Sequence, residues 1–170
     1  MNVSLKSTLI VLSLSLLSSC GKHADSVRTF RMGEKVEVGS LVYTVVSADW
    51  RPELGDGNNA KDRFLVIQLS VTNGGGSPMA SPLTHLIDAQ GKEYGELQEV
   101  RNFSQWMGLI RNVSPASTES GAIVFDVPLA IYKLKVSDGN VENEKSAQVE
   151  IPLELNGPAT APTVSLPGRK

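Results

Sequence analysis

The 170-residue sequence has one cysteine, two histidines and 5% aromatic residues, and its 16 Lys and Arg nearly balance 18 Asp and Glu. A single cysteine excludes an internal disulfide, so any fold has to be held by its core; a chain of this size buries enough surface to manage that. Two histidines leave little material for the converging titratable groups that catalysis requires. No serine sits in a Gly-x-Ser-x-Gly elbow, and Gly74-Gly75-Gly76 lacks the Lys-Ser/Thr and helix of a phosphate cradle. The near-neutral balance, with a pI of about 5.7, excludes the electrostatic footprint of a nucleic-acid binder and a polybasic lipid patch. No apolar run approaches the ~20 residues of a membrane-spanning helix.

What is there begins at the N-terminus. Lys6 and the terminal amine precede an apolar stretch, Leu9 to Leu17, interrupted by Ser13 and Ser15. A charged start, a short greasy segment and small residues before a cut make a secretory signal. The stretch closes on Leu17-Ser18-Ser19-Cys20-Gly21, which resembles the lipobox of bacterial lipoprotein precursors. The resemblance implies that the signal peptidase recognises Leu17, Ser18, Ser19 and Gly21, that residues 1–19 are discarded, and that Cys20 is lipidated with an S-diacylglycerol and an N-acyl chain. It also accounts for a lone sulfur in an exported chain, where cysteines ordinarily pair. One acyl chain holds a protein marginally and two or three hold it stably, so a membrane partner through the anchor is expected. Gly21 instead of Asp after the cysteine implies the outer membrane if the host is Gram-negative. Removing Lys6 with the leader leaves the mature chain mildly acidic.

Residues 20–33 are polar and irregular, a tether that buries nothing. Residues 34–155 alternate with period two and carry one domain. Residues 156–170, rich in Pro and Thr, are an expected disordered tail.

Within the domain Val36 and Val38 alternate with charges, and Leu41 to Ala48 is rich in the branched and aromatic side chains that suit a pleated surface. Phe64 to Asn73 is the strongest strand, with Leu65, Ile67, Leu69 and Val71 on one face. Further strands are expected at Leu83–Ala89 and Lys92–Tyr94 around the turn Asp88-Ala-Gln-Gly91, from Leu109-Ile110, at Ser120–Val127, at Ile131–Val136, and from Ala147 to Leu153. Val100, Phe103 and Trp106 recur every third residue, which predicts a single helical turn within Glu96–Trp106. Seven to nine short strands without a long helix predict an all-β fold, an antiparallel β-sandwich of immunoglobulin-like type.

The order of these segments, namely Gly39-Ser-Leu41-Val-Tyr43-Thr-Val45, the strand to Val71-Thr-Asn73, Leu86-Ile-Asp88-Ala-Gln-Gly91-Lys-Glu-Tyr94, and Gly121-Ala-Ile-Val-Phe125-Asp-Val-Pro128, resembles the uncharacterised immunoglobulin-like domain of many bacterial surface lipoproteins. The fold of that domain is similar to that of the mycobacterial immunoprotective extracellular protein. The resemblance spans about Met32 to Leu155 and implies a fold and a cell-envelope address. It brings no catalytic residues, because a fold does not license a function.

Candidate chemistry is sparse. His23 lies in the tether and His85 in a strand beside Leu83 and Leu86. Asp56-Gly-Asn58-Asn-Ala60-Lys61-Asp62 begins like a calcium loop but fails at Ala60, at Lys61 and at Ile67, so a plain loop is the better account. Met32, Met79, His85 and Met107 are the available copper donors, without a tight pair among them. Trp50, Trp106 and Tyr43 read as anchors of a small core. No cofactor and no metal are expected. The expectation is a non-catalytic, lipid-anchored envelope protein whose domain binds a protein or an envelope polymer; the alternative is a small-ligand or copper-carrying module.

Overall fold

The computed structural model describes residues 27–55 and 57–153. Eleven strands run through them: β1 (Thr29–Phe30), β2 (Val36–Val38), β3 (Leu41–Arg51), β4 (Phe64–Asn73), β5 (Met79–Ala80), β6 (His85–Ile87), β7 (Glu93–Gly95), β8 (Asn112–Val113), β9 (Thr118–Asp126), β10 (Tyr132–Ser137) and β11 (Ser146–Ile151). They form a five-stranded sheet in the order β1-β11-β10-β6-β7, a four-stranded sheet β2-β3-β4-β9, and the small pair β5-β8. β1, β5 and β8 have two residues each, and the other eight carry the sandwich. No helix occurs among the described residues.

Period-two alternation sends one side of each long strand inward. Leu65, Ile67, Leu69 and Val71 of β4 and Ile123 and Phe125 of β9 meet Leu134 and Val136 of β10 and Val149 and Ile151 of β11 in the main core. Two sheets joined through their inner faces are the all-β sandwich that the strand pattern predicts. In β3, Leu41, Tyr43 and Val45 face this core, and so do Ala48 and Trp50. The switch from odd to even positions comes from a bulge between Val45 and Ser47. One extra residue there flips the side-chain parity, leaves Val46 64% exposed, and carries the strand past Trp50 to Arg51.

A second, smaller core lies on the opposite face of the four-stranded sheet. Phe64 and Val66 of β4 and Ala122 and Val124 of β9 are covered there by Leu54 and by a long excursion that contributes Leu97, Val100, Phe103 and Trp106. Val100, Phe103 and Trp106 are the residues whose spacing predicts a helical turn. The three-residue period is real as a shared face, but the helix does not form. A turn hydrogen bond joins Trp106 N–H to the Phe103 carbonyl, and the excursion otherwise follows the sheet that it covers.

Three boundaries differ from expectation. Thr29 and Phe30, within the stretch assigned to the tether, pair in parallel with Gln148 and Val149 of β11, so the ordered fold begins before residue 34 and one pairing is not antiparallel. The strand expected from Leu109-Ile110 begins at Asn112 instead, and Ile110 is 87% exposed. β11 stops at Ile151 because Pro152 has no N–H to donate to a ladder.

Candidate functional site

The outer surface of the five-stranded sheet is polar because Tyr132, Leu134 and Val136 turn inward. Lys133 and Lys135 therefore point outward. Lys135 pairs across β10–β6 with His85, and His85 pairs across β6–β7 with Gly95. The Lys135 ammonium stands 3.8 Å from Glu93 Oε1. Beyond β10 the segment after Ser137 rises as a wall. Asp138 Oδ1 accepts hydrogen bonds from Asn140 N and Lys145 N at 3.2 and 3.0 Å. Asn140 Oδ1 accepts from Glu142 N at 3.1 Å and Asn143 N at 3.3 Å. Short polar side chains thus cap the turn with its own backbone. Gly139 has φ of +68° and lies so close to Pro82 that a Cβ would stand 2.7 Å from the Pro82 Cγ. The result is a depression of about 460 Å³ with His85, Lys135 and Ser137 among its lining residues, Glu93 and Glu144 among its acids, and Pro82, Leu83 and Val141 as its apolar part.

A second groove, of about 560 Å³, opens where β10 begins and β11 ends. Met32, Ile131, Tyr132, Ile151 and Pro152 make it mostly apolar, with Arg31, Lys133 and Glu150 at its margins. Ile131 is 65% exposed there.

Between the sheets lies a buried polar group that sequence reasoning missed. Glu96 accepts from Thr84 N and Thr84 Oγ1 at 2.6 and 2.8 Å and from Arg111 Nη1 at 3.1 Å. A second guanidinium contact joins Arg111 Nη2 to Glu96 Oε2. Arg111 Nε donates to the Gly108 carbonyl. Nearly all of this ion pair is closed to solvent. Nearby, the Tyr43 hydroxyl donates to the Ser137 carbonyl at 2.7 Å, and burial pushes its pKa up to about 12. No local pattern announces the Glu96–Arg111 pair, because its members lie in irregular chain and meet through tertiary packing.

The sequence candidates are dispersed. Leu17, Ser18, Ser19, Cys20 and Gly21 lie outside the described residues, as do His23, Asp56 and the tail from residue 156. Met32, Met79 and Met107 pack against the main core, while His85 faces outward with Lys135. No group of three or more His, Cys, Asp or Glu among the described residues is placed to hold a metal. Asn58, a ligand position of the calcium-like loop, has its amide engaged by the protein. Nδ2 donates to the carbonyls of Leu54 and Arg101, and Oδ1 accepts from Arg101 N. The three aromatic anchors are divided: Tyr43 and Trp50 belong to the main core and Trp106 to the second.

Residues 30–146 match the domain of unknown function DUF4352. The chain belongs to the DUF4352 family. No curated protein matches it. Solved structures share the fold of this DUF4352 chain. The yjhA protein from Bacillus subtilis superposes with a TM-score of 0.57 at 16% identity, covering 72% of this chain and 99% of that one. The "putative lipoprotein" ycdA of Bacillus subtilis gives 0.57 at 12%, covering 70% of this chain and 38% of its own. MPT63, a secreted protein from Mycobacterium tuberculosis, gives 0.53 at 15%, covering 75% and 98%. At these identities the likeness shows the fold, and it agrees with the sandwich resemblance read from the sequence.

Proposed function

We propose that this DUF4352 chain is a lipid-anchored protein of the bacterial cell envelope whose sandwich binds a protein or an envelope component without catalysing a reaction. The observation that carries the reading is the run Leu17-Ser18-Ser19-Cys20-Gly21 behind a short apolar segment, with the chain's one cysteine at the position that is acylated. Thr29 lies nine positions after Cys20, at most roughly 30 Å of extended chain. An anchor at Cys20 would therefore hold the entering edge of the five-stranded sheet close to the membrane. Two proteins of the same fold, one described as a "putative lipoprotein" and one as secreted, support an extracytoplasmic address. In a Gram-negative host the anchor would sit in the outer membrane. The non-catalytic part rests on the scarcity of histidine and cysteine and on the dispersal of the titratable candidates.

Mass spectrometry of the protein taken from cells tests the anchor. The expected result is a mature N-terminus at Cys20 carrying acyl mass, and a Cys20→Ser variant that accumulates as the full precursor. An unmodified thiol at Cys20, or normal processing of the serine variant, would remove the proposal. The binding role is tested separately by capture of a partner from solubilised membranes.

A further inference from the structure

We propose that the depression beside His85 and Lys135 is a binding site for a short peptide with free termini, that is, a zwitterion with an apolar side chain. The inference rests on reading the domain as a binding module and names a ligand class for it.

The charges decide the class. Lys135 and His85 stand side by side on adjacent strands, with Glu93 and Glu144 also lining the hollow. A purely anionic ligand would meet the lysine but face two carboxylates. A metal ion would meet the ammonium, and the acids do not converge on one point. A ligand with a carboxylate and an ammonium on one backbone answers both signs. The 3.8 Å between the Lys135 ammonium and Glu93 exceeds the ~2.7–2.9 Å of a closed charge-assisted hydrogen bond. Both groups therefore retain capacity to turn toward ligand termini.

The apolar side of the hollow supplies the rest. Val141 is 97% exposed and Leu83 40%, both lining the same space. A valine held almost wholly in water at the head of a capped turn gains nothing from folding, and contact with a ligand side chain would shelter it. The wall that carries it is set before any ligand arrives. Gly139 abuts Pro82, Asp138 and Asn140 tie the turn to itself, and the floor is a paired ladder. Such walls reduce the ordering cost of binding. A volume of about 460 Å³ lies within the usual range for small-ligand sites, roughly 300–1,000 Å³.

The test is a titration of the full-length purified protein with the dipeptide Leu-Gly, followed by NMR. The chain has two histidines, so the His85 imidazole signal is readily separated from that of His23. Leu-Gly should shift the His85 signal saturably below roughly 10 mM. N-acetyl-Leu-Gly and Leu-Gly-amide should each bind about tenfold more weakly, the scale of one lost charge-assisted contact. Lys135→Gln should weaken Leu-Gly about tenfold and leave the amide little changed, and Val141→Ser should weaken Leu-Gly more than Gly-Gly. The proposal is overturned if the shift does not saturate, if the blocked dipeptides respond equally, or if Lys135→Gln binds as the parent does. All these positions are on the surface, and unchanged melting confirms that the variants fold. The titration needs neither membrane nor macromolecular partner, so its failure leaves the Cys20 reading standing.

Discussion

Glu96 and Arg111, fifteen residues apart, meet as an ion pair shielded from solvent at the base of the excursion that they bracket. The excursion leaves the buried space between the sheets, crosses the outer face of the four-stranded sheet and covers the second core. The pair thus fastens both ends of the segment that hides Phe64, Val66, Ala122 and Val124.

Removing one member should be costly, because the other is left charged and buried. Glu96→Leu or Arg111→Met is expected to destabilise the fold by about 3–5 kcal/mol. Glu96→Leu would also take from Thr84 the acceptor of its N–H and hydroxyl. The double replacement Glu96→Leu with Arg111→Met should cost clearly less than the sum of the single changes, since no orphaned charge remains. Urea midpoints for the four proteins measure this, and hydrogen exchange at Val100–Trp106 should rise first in the single variants. Additive losses would show that the two side chains act independently.

Tyr43 makes the stability depend on alkaline pH. Its hydroxyl donates to the Ser137 carbonyl, and burial raises its pKa from near 10 to about 12. Folding therefore favours the neutral phenol. The linked stabilisation is fully present below pH 10 and is lost as pH rises from 10 through 12, on the order of 2–3 kcal/mol in all. Tyr132, buried with its hydroxyl on the Pro128 carbonyl, is also pushed up to about 12 by burial and acts in the same direction. Denaturant midpoints across pH 8–12 should fall mainly above pH 10. Tyr43→Phe should be about 1 kcal/mol less stable at neutral pH, from the unmet carbonyl, and its midpoint should fall less steeply. Equal slopes for parent and variant would exclude Tyr43 as a source.

The sandwich was legible because its core strands alternate strictly. Leu65, Ile67, Leu69 and Val71 face one way, and their parity alone places them against the opposite sheet. Val46 was not legible as an exposed residue, because a bulge is a local slip that a run of branched side chains does not mark. The period of Val100, Phe103 and Trp106 correctly gathered them on one face, yet could not separate a helix from an irregular chain tracking a sheet. β1 was hidden because two residues are too short to show any period. The depression was half legible. His85 could be placed on a strand, but Lys135, Glu93 and Glu144 join it from other elements, through a register that only long-range pairing fixes.

Hydrogen bonds tie Asn58, Lys61 and Asp62 of the calcium-like loop to neighbouring segments. Asn58 bridges Leu54 and Arg101, and the N–H groups of Lys61 and Asp62 donate to Asp126. Asn58→Ala should cost about 1–2 kcal/mol, because it removes an amide that spans two segments. Addition of millimolar calcium should leave the melting temperature of the parent unchanged. A calcium-dependent rise that Asn58→Ala abolishes would instead make this loop a metal site.

Gly121 sits in β9 where the covering excursion comes closest. A Cβ there would lie 2.6 Å from Met107 Cγ and 2.8 Å from the Gln105 carbonyl oxygen. The Met107 side chain can turn aside, but the Gln105 carbonyl is backbone and accepts the Ala122 N–H at 2.7 Å, while Met107 N–H donates to the Ala122 carbonyl at 2.9 Å. Gly121→Ala should therefore push residues 105–107 off the strand and cost about 1–3 kcal/mol. Gly95 in β7 has nothing within 4 Å of an added Cβ, and Gly95→Ala provides the control, with a change below about 1 kcal/mol. The lost contacts would also bare the edge of β9, and uncovered edges pair with other chains. Gly121→Ala should then associate in a concentration-dependent way in sedimentation velocity, while Gly95→Ala sediments as the parent does. If both variants melt and sediment alike, the Gln105–Met107 strap is not what closes that edge.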